Sequence, residues 1–400
     1  MMEEADVLLG NDAQRFSSGG WLQGAADALA TYPGIELSIA CPSPRVSAVT
    51  KLCGKQITYY VFNGFDKHGG LLTGDVPALD PVMEEILAEA RPDVIDIQGS
   101  EFAHSLSCAR SAGAIPTALT IQGILSACQS HFWDALDKRD RHWLGRDEIS
   151  HQVRDFGRRA QTEKVLMQRV HHFIGRTAWD RAHSLAINPR AQYHPCNRIL
   201  RSVFYSGEWE YAHCRPHRIF VSQAMYPLKG FHQLLKALPA VIETFPDTVV
   251  AVGGGGFGQG DYGRILERMI KEKDLSRHIE VLDTLDAEQM KEQFLLSNVY
   301  VLASSIENES ISLSEAQLLG VPIVAAFTGG VPDSIPDNRC GALYPYEDTT
   351  LLARLICDAF EASPSFDNSH QREVAAARLD IGANTEQLVR IYQDIVSQER

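Results

Sequence analysis

Two carboxylates, Glu307 and Glu315, stand with seven residues between them, on either side of a serine-rich step, Ser310-Ile311-Ser312. The apolar run 299–303 before them reads as a buried strand. Ser312 marks a helix start, with Glu315 one turn inside. A second apolar run, 321–326, is entered through Gly320 and Pro322. The loop 304–312 is therefore expected at the carboxyl end of a strand and the amino end of a helix. Open α/β sheets bind ligands at that edge. A helix amino end offers unpaired N–H groups and partial positive charge, so the amides of Ser310, Ile311 and Ser312 suit a phosphate. Carboxylates accept hydrogen bonds from hydroxyls. Glu307 would face whatever the phosphate carries, and Glu315 would accept from a ribose. Each acid also has a plainer reading. Ser312-Leu-Ser-Glu315 fits a capping box, in which Glu315 only satisfies the Ser312 amide, and Glu307 fits a solvated loop acid.

The flanking sequence supplies elements to position this loop. Strand and helix patterns alternate through the first third. Strands are expected at 5–10, 36–40, 57–62, 94–98 and 117–121, with helices at 21–32, 81–90 and 102–112 between them. Residues 128–172 read as charged helix, followed by a short strand, 172–174. A second alternating series runs from strand 218–222 through strands 248–252, 279–282 and 299–303. Such alternation predicts parallel, doubly wound sheets. The irregular stretch 189–217, punctuated by Pro189, Pro195, Gly207 and Pro216, marks a boundary. Two domains follow, 1–203 and 204–382, and a last amphipathic helix lies within 383–400.

Gly19-Gly20 separates the first expected strand from a helix, either as a plain turn or as a place for close backbone approach to a ligand. Residues 253–258 fit G-x-G-x-x-G through Gly253, Gly255 and Gly258, a weak signature for a dinucleotide such as NAD.

Composition narrows the class. The 400 residues are 44% hydrophobic and 22% charged, as in globular proteins. No apolar run approaches the roughly 20 residues of a membrane span. The acidic start MMEEADVLLG is unlike a secretion signal. Eight scattered cysteines without a C-x-x-C pair point to reduced thiols in a cytoplasm rather than to disulfides or zinc, and no metal-ligand cluster is visible. The net charge of −14 argues against nucleic-acid binding. Residues 131–172 depart from it, with nine Lys/Arg against seven Asp/Glu and Phe132, Trp133 and Trp143 among them. That segment is either an ordinary solvated helical pair or a peripheral contact for an anionic lipid-linked acceptor or membrane face.

The string as a whole resembles the Glu–seven residues–Glu signature of retaining GT-B glycosyltransferases of family four. The matching residues are Ser304-Ser305, Glu307, Glu315-Ala316, Gly320-Val-Pro322-Ile-Val-Ala325 and Gly329-Gly-Val-Pro-Asp333. The resemblance implies two Rossmann-like domains facing a central cleft, with the last helix crossing back to the first domain. It implies transfer of a sugar, with retention, from a UDP- or GDP-linked donor to a saccharide or lipid-linked saccharide acceptor, without a metal. It places Glu307 on the donor sugar, Glu315 on the ribose and the amides near Ser310 on the diphosphate. Leu282 to Leu285, Thr284 included, would meet the base. Lys229-Gly230 matches the family's Lys-Gly, whose lysine holds the diphosphate. The family's accompanying Arg is absent from Ser222-Gln-Ala-Met225. Arg176 is a candidate replacement, although it could equally pair with Asp180 along a helix. The family's His-x-His is replaced by Asp96 and Gln98. Glu101 and His104 lie just beyond and are candidates for the acceptor hydroxyl, His104 being equally an ordinary helix residue. A sugar-nucleotide epimerase on the same fold and a non-catalytic nucleotide-binding subunit remain alternatives.

Overall fold

The structure, a computed structural model, describes residues 5, 8–9, 20–144, 148–254, 257 and 259–399. The chain divides into two compact units. One comprises 1–129, 154–200 and 379–400; the other comprises 130–153 and 201–378.

The second unit is built on six parallel strands: β8 (Arg215–Val221), β9 (Val249–Val252), β10 (Ile279–Val281), β11 (Ser297–Leu302), β12 (Ile323–Ala326) and β13 (Ala342–Tyr344). Their order is β10-β9-β8-β11-β12-β13. Every residue of β11 and β12 is buried, as expected of parallel strands covered on both faces. That is why they appear in the sequence as unbroken apolar runs. The chain reverses its direction of travel across the sheet between the neighbours β8 and β11. The carboxyl ends of these two strands form the topological switch point, where such sheets leave a crevice.

The first unit holds two sheets. One is parallel, in the order β4 (Ile95–Gln98), β5 (Thr117–Thr120), β6 (His172–Gly175) and β7 (Gln192–Pro195). In the other, β1 (Leu37–Pro42) and β2 (Thr50–Cys53) flank β3 (Ile57–Phe62), with β1 parallel to it and β2 antiparallel. The last helix, Ile381–Glu399, sets Leu388, Val389, Ile391 and Ile395 in a core with Leu29, Ala118 and Ile174. Tyr392 on that helix donates to Asp96 at 2.6 Å.

Three expectations need correction. Ala5 and Leu8 are helical, with the Leu9 N–H donating to Ala5 O at 3.0 Å, and not part of a strand 5–10. An i to i+4 bond within so short an apolar run satisfies the backbone locally, which apolarity alone does not distinguish from a strand. Residues 189–217 are not wholly irregular, because β7 lies within them. Its Pro195 is tolerated on an edge strand. Residues 130–153 cluster with the second unit, unlike a continuous 1–203 domain. The Asp134 carbonyl accepts from His232 (3.2 Å) and the Ala135 carbonyl from Lys236 (2.5 Å). Asp140 pairs with Arg268, and Arg139 with Glu272 at 3.3 Å. These charges of the 131–172 segment are engaged with protein.

Candidate functional site

Both loops that leave the switch point carry candidate residues. After β8, residues Pro227–Lys229 form one 3-10 turn, and Gly230 ends it in the left-handed region at φ +64°. A Cβ on Gly230 would lie 1.8 Å from the Ala303 carbonyl oxygen, just past β11. Only glycine fits there, so the Lys-Gly pair has a steric cause. The Ser305 N–H donates to Leu228 O at 2.8 Å and ties the two loops together.

The tie brings Lys229 to Glu307. Lys229 Nζ donates to Glu307 Oε1 at 2.5 Å, and Ser304 Oγ donates to the same oxygen at 2.8 Å. Both charged side chains keep some exposure, 22% and 14%, so a ligand can reach them. Burial works against the Lys229 charge, but attraction to Glu307 and Tyr226 outweighs it and holds the ammonium above its ordinary pKa. Behind Glu307, Gly329 sits at φ +52°, where a Cβ would lie 1.9 Å from the Glu307 carbonyl oxygen. The Gly330 N–H donates to that carbonyl at 3.0 Å. The Gly-Gly turn after β12 therefore backs the acidic loop.

The helix Ile311–Leu319 follows, with Ser310 as its cap: Ser310 Oγ accepts from Leu313 N. The start expected at Ser312 shifts by two residues, because Ser310 has the extended backbone of a cap and Ser312 is already helical. The amides of Ile311 and Ser312 have no partner among the described residues. The Ser312 hydroxyl instead meets Tyr300 OH (2.7 Å), Ser222 Oγ and Ser310 Oγ (both 3.1 Å).

The capping-box reading of Glu315 fails. Its carboxylate accepts from Arg201 at 2.6 Å and is almost wholly buried. Burial pushes its pKa up to about 7 despite Arg201. Sequence reasoning missed this arginine, and also Glu309 and Arg378. Glu309 is buried beside Glu307 and accepts from Arg378 at 2.9 Å. Arg378 also donates to Gln317 at 2.7 Å and Ser334 at 3.1 Å. No local pattern announces such pairs, since their members lie 114 and 69 residues apart.

The remaining candidates are distributed over both units. The Leu282 N–H donates to Val252 O at 2.8 Å, and Thr284 is exposed in the loop after β10. Gly254 is described, at φ +95°, but Gly255 and Gly258 of the G-x-G-x-x-G lie outside the described residues. In the first unit, Gly19 also lies outside them, and Gly20 opens the helix Gly20–Ala30. Arg176 donates to Ile121 O at 2.8 Å and lines a cavity with Gln98, Gln122 and Arg198. Asp180 belongs to a capping box with Thr177 and also accepts from the Arg176 N–H. His104 stacks on Phe102 (centroids 5.6 Å apart) and makes a T-shaped contact with Phe62. Burial lowers its pKa to about 4, so the ring is neutral near pH 7. No helix among the described residues is long and apolar enough to cross a membrane.

Comparison with known proteins finds partial sequence matches and a shared fold. Residues 214–378 match the family described as glycosyl transferases group 1. A GDP-mannose-dependent alpha-(1-6)-phosphatidylinositol monomannoside mannosyltransferase of Mycolicibacterium smegmatis is 28% identical over 160 residues, 37% of this chain and 41% of that protein. A D-inositol 3-phosphate glycosyltransferase of Corynebacterium urealyticum is 28% identical over 175 residues, 42% of this chain and 41% of that protein. The chain thus spans about two fifths of the length of these relatives. Sucrose-phosphate synthase from Thermosynechococcus elongatus aligns with a TM-score of 0.71 at 14% identity, covering 94% of this chain and 93% of that one. Anabaena HepE, solved with UDP and glucose, aligns at 0.68 and 16% identity, covering 95% and 97%. The shared fold is GT-B.

Proposed function

We propose, from the match of residues 214–378 to the glycosyl transferases group 1 family and from the site at the β8/β11 switch point, that the protein is a glycosyltransferase. It moves a sugar, with retention, from a nucleoside diphosphate sugar to an acceptor hydroxyl. The observation that carries the reading is the Lys229–Glu307 pair beside the unpartnered amides of Ile311 and Ser312.

The chemistry follows from where charge develops. As the bond between sugar and diphosphate breaks, negative charge grows on the leaving phosphate oxygen and the sugar becomes oxocarbenium-like. Lys229 is kept protonated and aimed by Glu307, and it meets the leaving oxygens together with the helix amides. Fixed positive groups in a partly dry site stabilise such charge without reorganising. These groups supply the positive charge that the step needs, so the reading requires no metal. Glu307 accepts from the sugar hydroxyls, and Glu315 from the ribose. The base lies by Leu282 and Thr284. UDP- and GDP-linked donors are both within the reading, since the relatives and solved structures name GDP-mannose and UDP. The relatives' names also motivate a saccharide or lipid-linked saccharide acceptor. Such an acceptor fits a cytoplasmic protein working at the inner face of a membrane.

The test combines binding and turnover. Among UDP, GDP, ADP and NAD, one nucleoside diphosphate should raise the unfolding midpoint by mass action. Lys229→Ala should abolish that shift and lower turnover of the matching nucleotide sugar by about 10²-fold or more, the scale of losing one electrostatic contact to a developing oxyanion. Stabilisation by NAD alone, or unchanged turnover in Lys229→Ala, overturns the reading. Nucleotide binding without turnover on any acceptor would favour the non-catalytic alternative, which the missing family Arg and His motivate.

A further inference from the structure

Away from this site, three side chains of the kinds that ligate transition metals converge. Asp337, Cys340 and His370 each offer one ligand atom, and the three atoms lie within 4.8 Å of one another. The separation of 33 positions between Asp337 and His370 hid the cluster from the sequence, where Asp337-x-x-Cys340 lacks a second cysteine.

The backbone holds the three in place from two directions. Asp337 and Cys340 share a tight turn before β13. The Cys340 N–H donates to Asp337 O at 3.1 Å, and the Arg339 N–H donates to Asp337 Oδ1 at 2.9 Å. His370 lies in the first turn of the helix Ser369–Arg378 and meets Asp337 Oδ2 through Nε2 at 3.0 Å. That helix is itself fixed, since Gln371 donates to Val321 O at 2.9 Å. Cys340 is wholly buried, while Asp337 and His370 keep 37% and 28% exposure. One face of the cluster is therefore closed by protein and the other is open to entry.

We infer that Asp337, Cys340 and His370 form a binding site for one divalent cation of the zinc class. Thiolate, imidazole and carboxylate together suit a borderline-soft ion and not calcium or magnesium, which take all-oxygen shells. Bonds of about 2.0–2.3 Å in a tetrahedral shell put neighbouring ligand atoms roughly 3.3–3.8 Å apart. Adjustments of about an ångström bring the three atoms to that spacing. Water fills the fourth position, on the exposed side. Arg339 also reaches Asp337 Oδ2, at 3.2 Å, but its side chain is 64% exposed and turns out to solvent when a cation takes that oxygen. Binding releases the thiol proton, because only the thiolate is a ligand. The ion clamps the helix 369–378 to the turn before β13. The far end of that helix carries Arg378, which holds Glu309 in the acidic loop. The site is thus a structural brace for the loop that bears Glu307.

Cobalt(II) makes the site visible, because cobalt bound to a thiolate absorbs in the near ultraviolet. Metal-free protein titrated with cobalt(II) is expected to bind one ion per chain with that absorption. Zinc is expected to displace the cobalt and to raise the unfolding midpoint. Cys340→Ser should lose the absorption, and His370→Ala and Asp337→Asn should each weaken binding at least 10-fold, with far-ultraviolet dichroism unchanged. Asp337→Asn and His370→Ala change part-exposed residues, so they report even if Cys340→Ser does not fold. No cobalt absorption in the folded wild type overturns the proposal. So does binding that is equally tight in the variants, which places the ion on other cysteines.

Discussion

Glu315 offers the most demanding test of the proposed donor site, because its environment predicts a pH dependence of known sign. Burial raises the Glu315 pKa from 4.5 to about 7, against the pull of Arg201. In the proposed donor site a ribose hydroxyl would donate a hydrogen bond to Glu315, and donation to an ionised carboxylate is the stronger form of that bond. On that proposal the ligand binds the ionised protein. With a pKa of about 7, roughly one molecule in eleven is ionised at pH 6 and ten in eleven at pH 8. Apparent affinity scales with the competent fraction, so affinity for the donor should rise about 10-fold from pH 6 to pH 8. The intact nucleotide sugar is the right probe, because a free terminal phosphate titrates near pH 6 and would overlay its own slope. Calorimetric titration of wild type and Glu315→Gln at several pH values measures both. The variant should bind with little pH dependence.

Stability provides an independent check. The folded state holds the Glu315 proton more tightly than the unfolded chain does. The resulting stabilisation is complete below pH 4.5 and is lost as pH rises from there to about 7. Over that interval the loss is about 3 kcal/mol if Arg201 does not move. Glu315→Gln removes this slope, although it leaves Arg201 without its carboxylate, so the slope and not the absolute midpoint is the readout. Affinity that is flat between pH 6 and pH 8 in the wild type, or a tenfold rise that persists in Glu315→Gln, would refute a role for Glu315 against the donor.

Two further substitutions probe the supports of the site. Gly230→Ala forces a side chain into the left-handed region against the Ala303 carbonyl, and should cost several kcal/mol in urea unfolding; a loss below about 1 kcal/mol contradicts the steric account. Tyr392→Phe takes away one of three side-chain donors, with Thr120 and Gln98, to the part-buried Asp96 carboxylate. It should cost about 1–3 kcal/mol, and more at high pH, because burial already raises the Asp96 pKa and a lost donor raises it further. Equal stability across pH would mean that the phenol is not a partner of the carboxylate.

Where the cause of a residue's position is local, the sequence shows the cause directly. β11 and β12 are buried on both faces, so each appears as an apolar run. Lys229-Gly230 and Gly329-Gly330 were visible as patterns, yet their cause is the approach of a distant carbonyl, Ala303 in one case and Glu307 in the other. β13 spans only Ala342–Tyr344, too short for any period to register. The two errors at the helix 311–319 come from the same limit. Ser310 and Ser312 are both acceptable caps, and which of them caps depends on how the chain leaves β11, not on the residue type. Once Ser310 takes the cap, the third helical residue is Leu313, and no capping box can form with Glu315. The carboxylate is then buried one turn further in and needs a partner from elsewhere in the chain. Arg201, 114 residues away, meets that need. Local rules can therefore reject the structural role of Glu315 once the cap is known, but the arginine that replaces it is set by the tertiary fold alone.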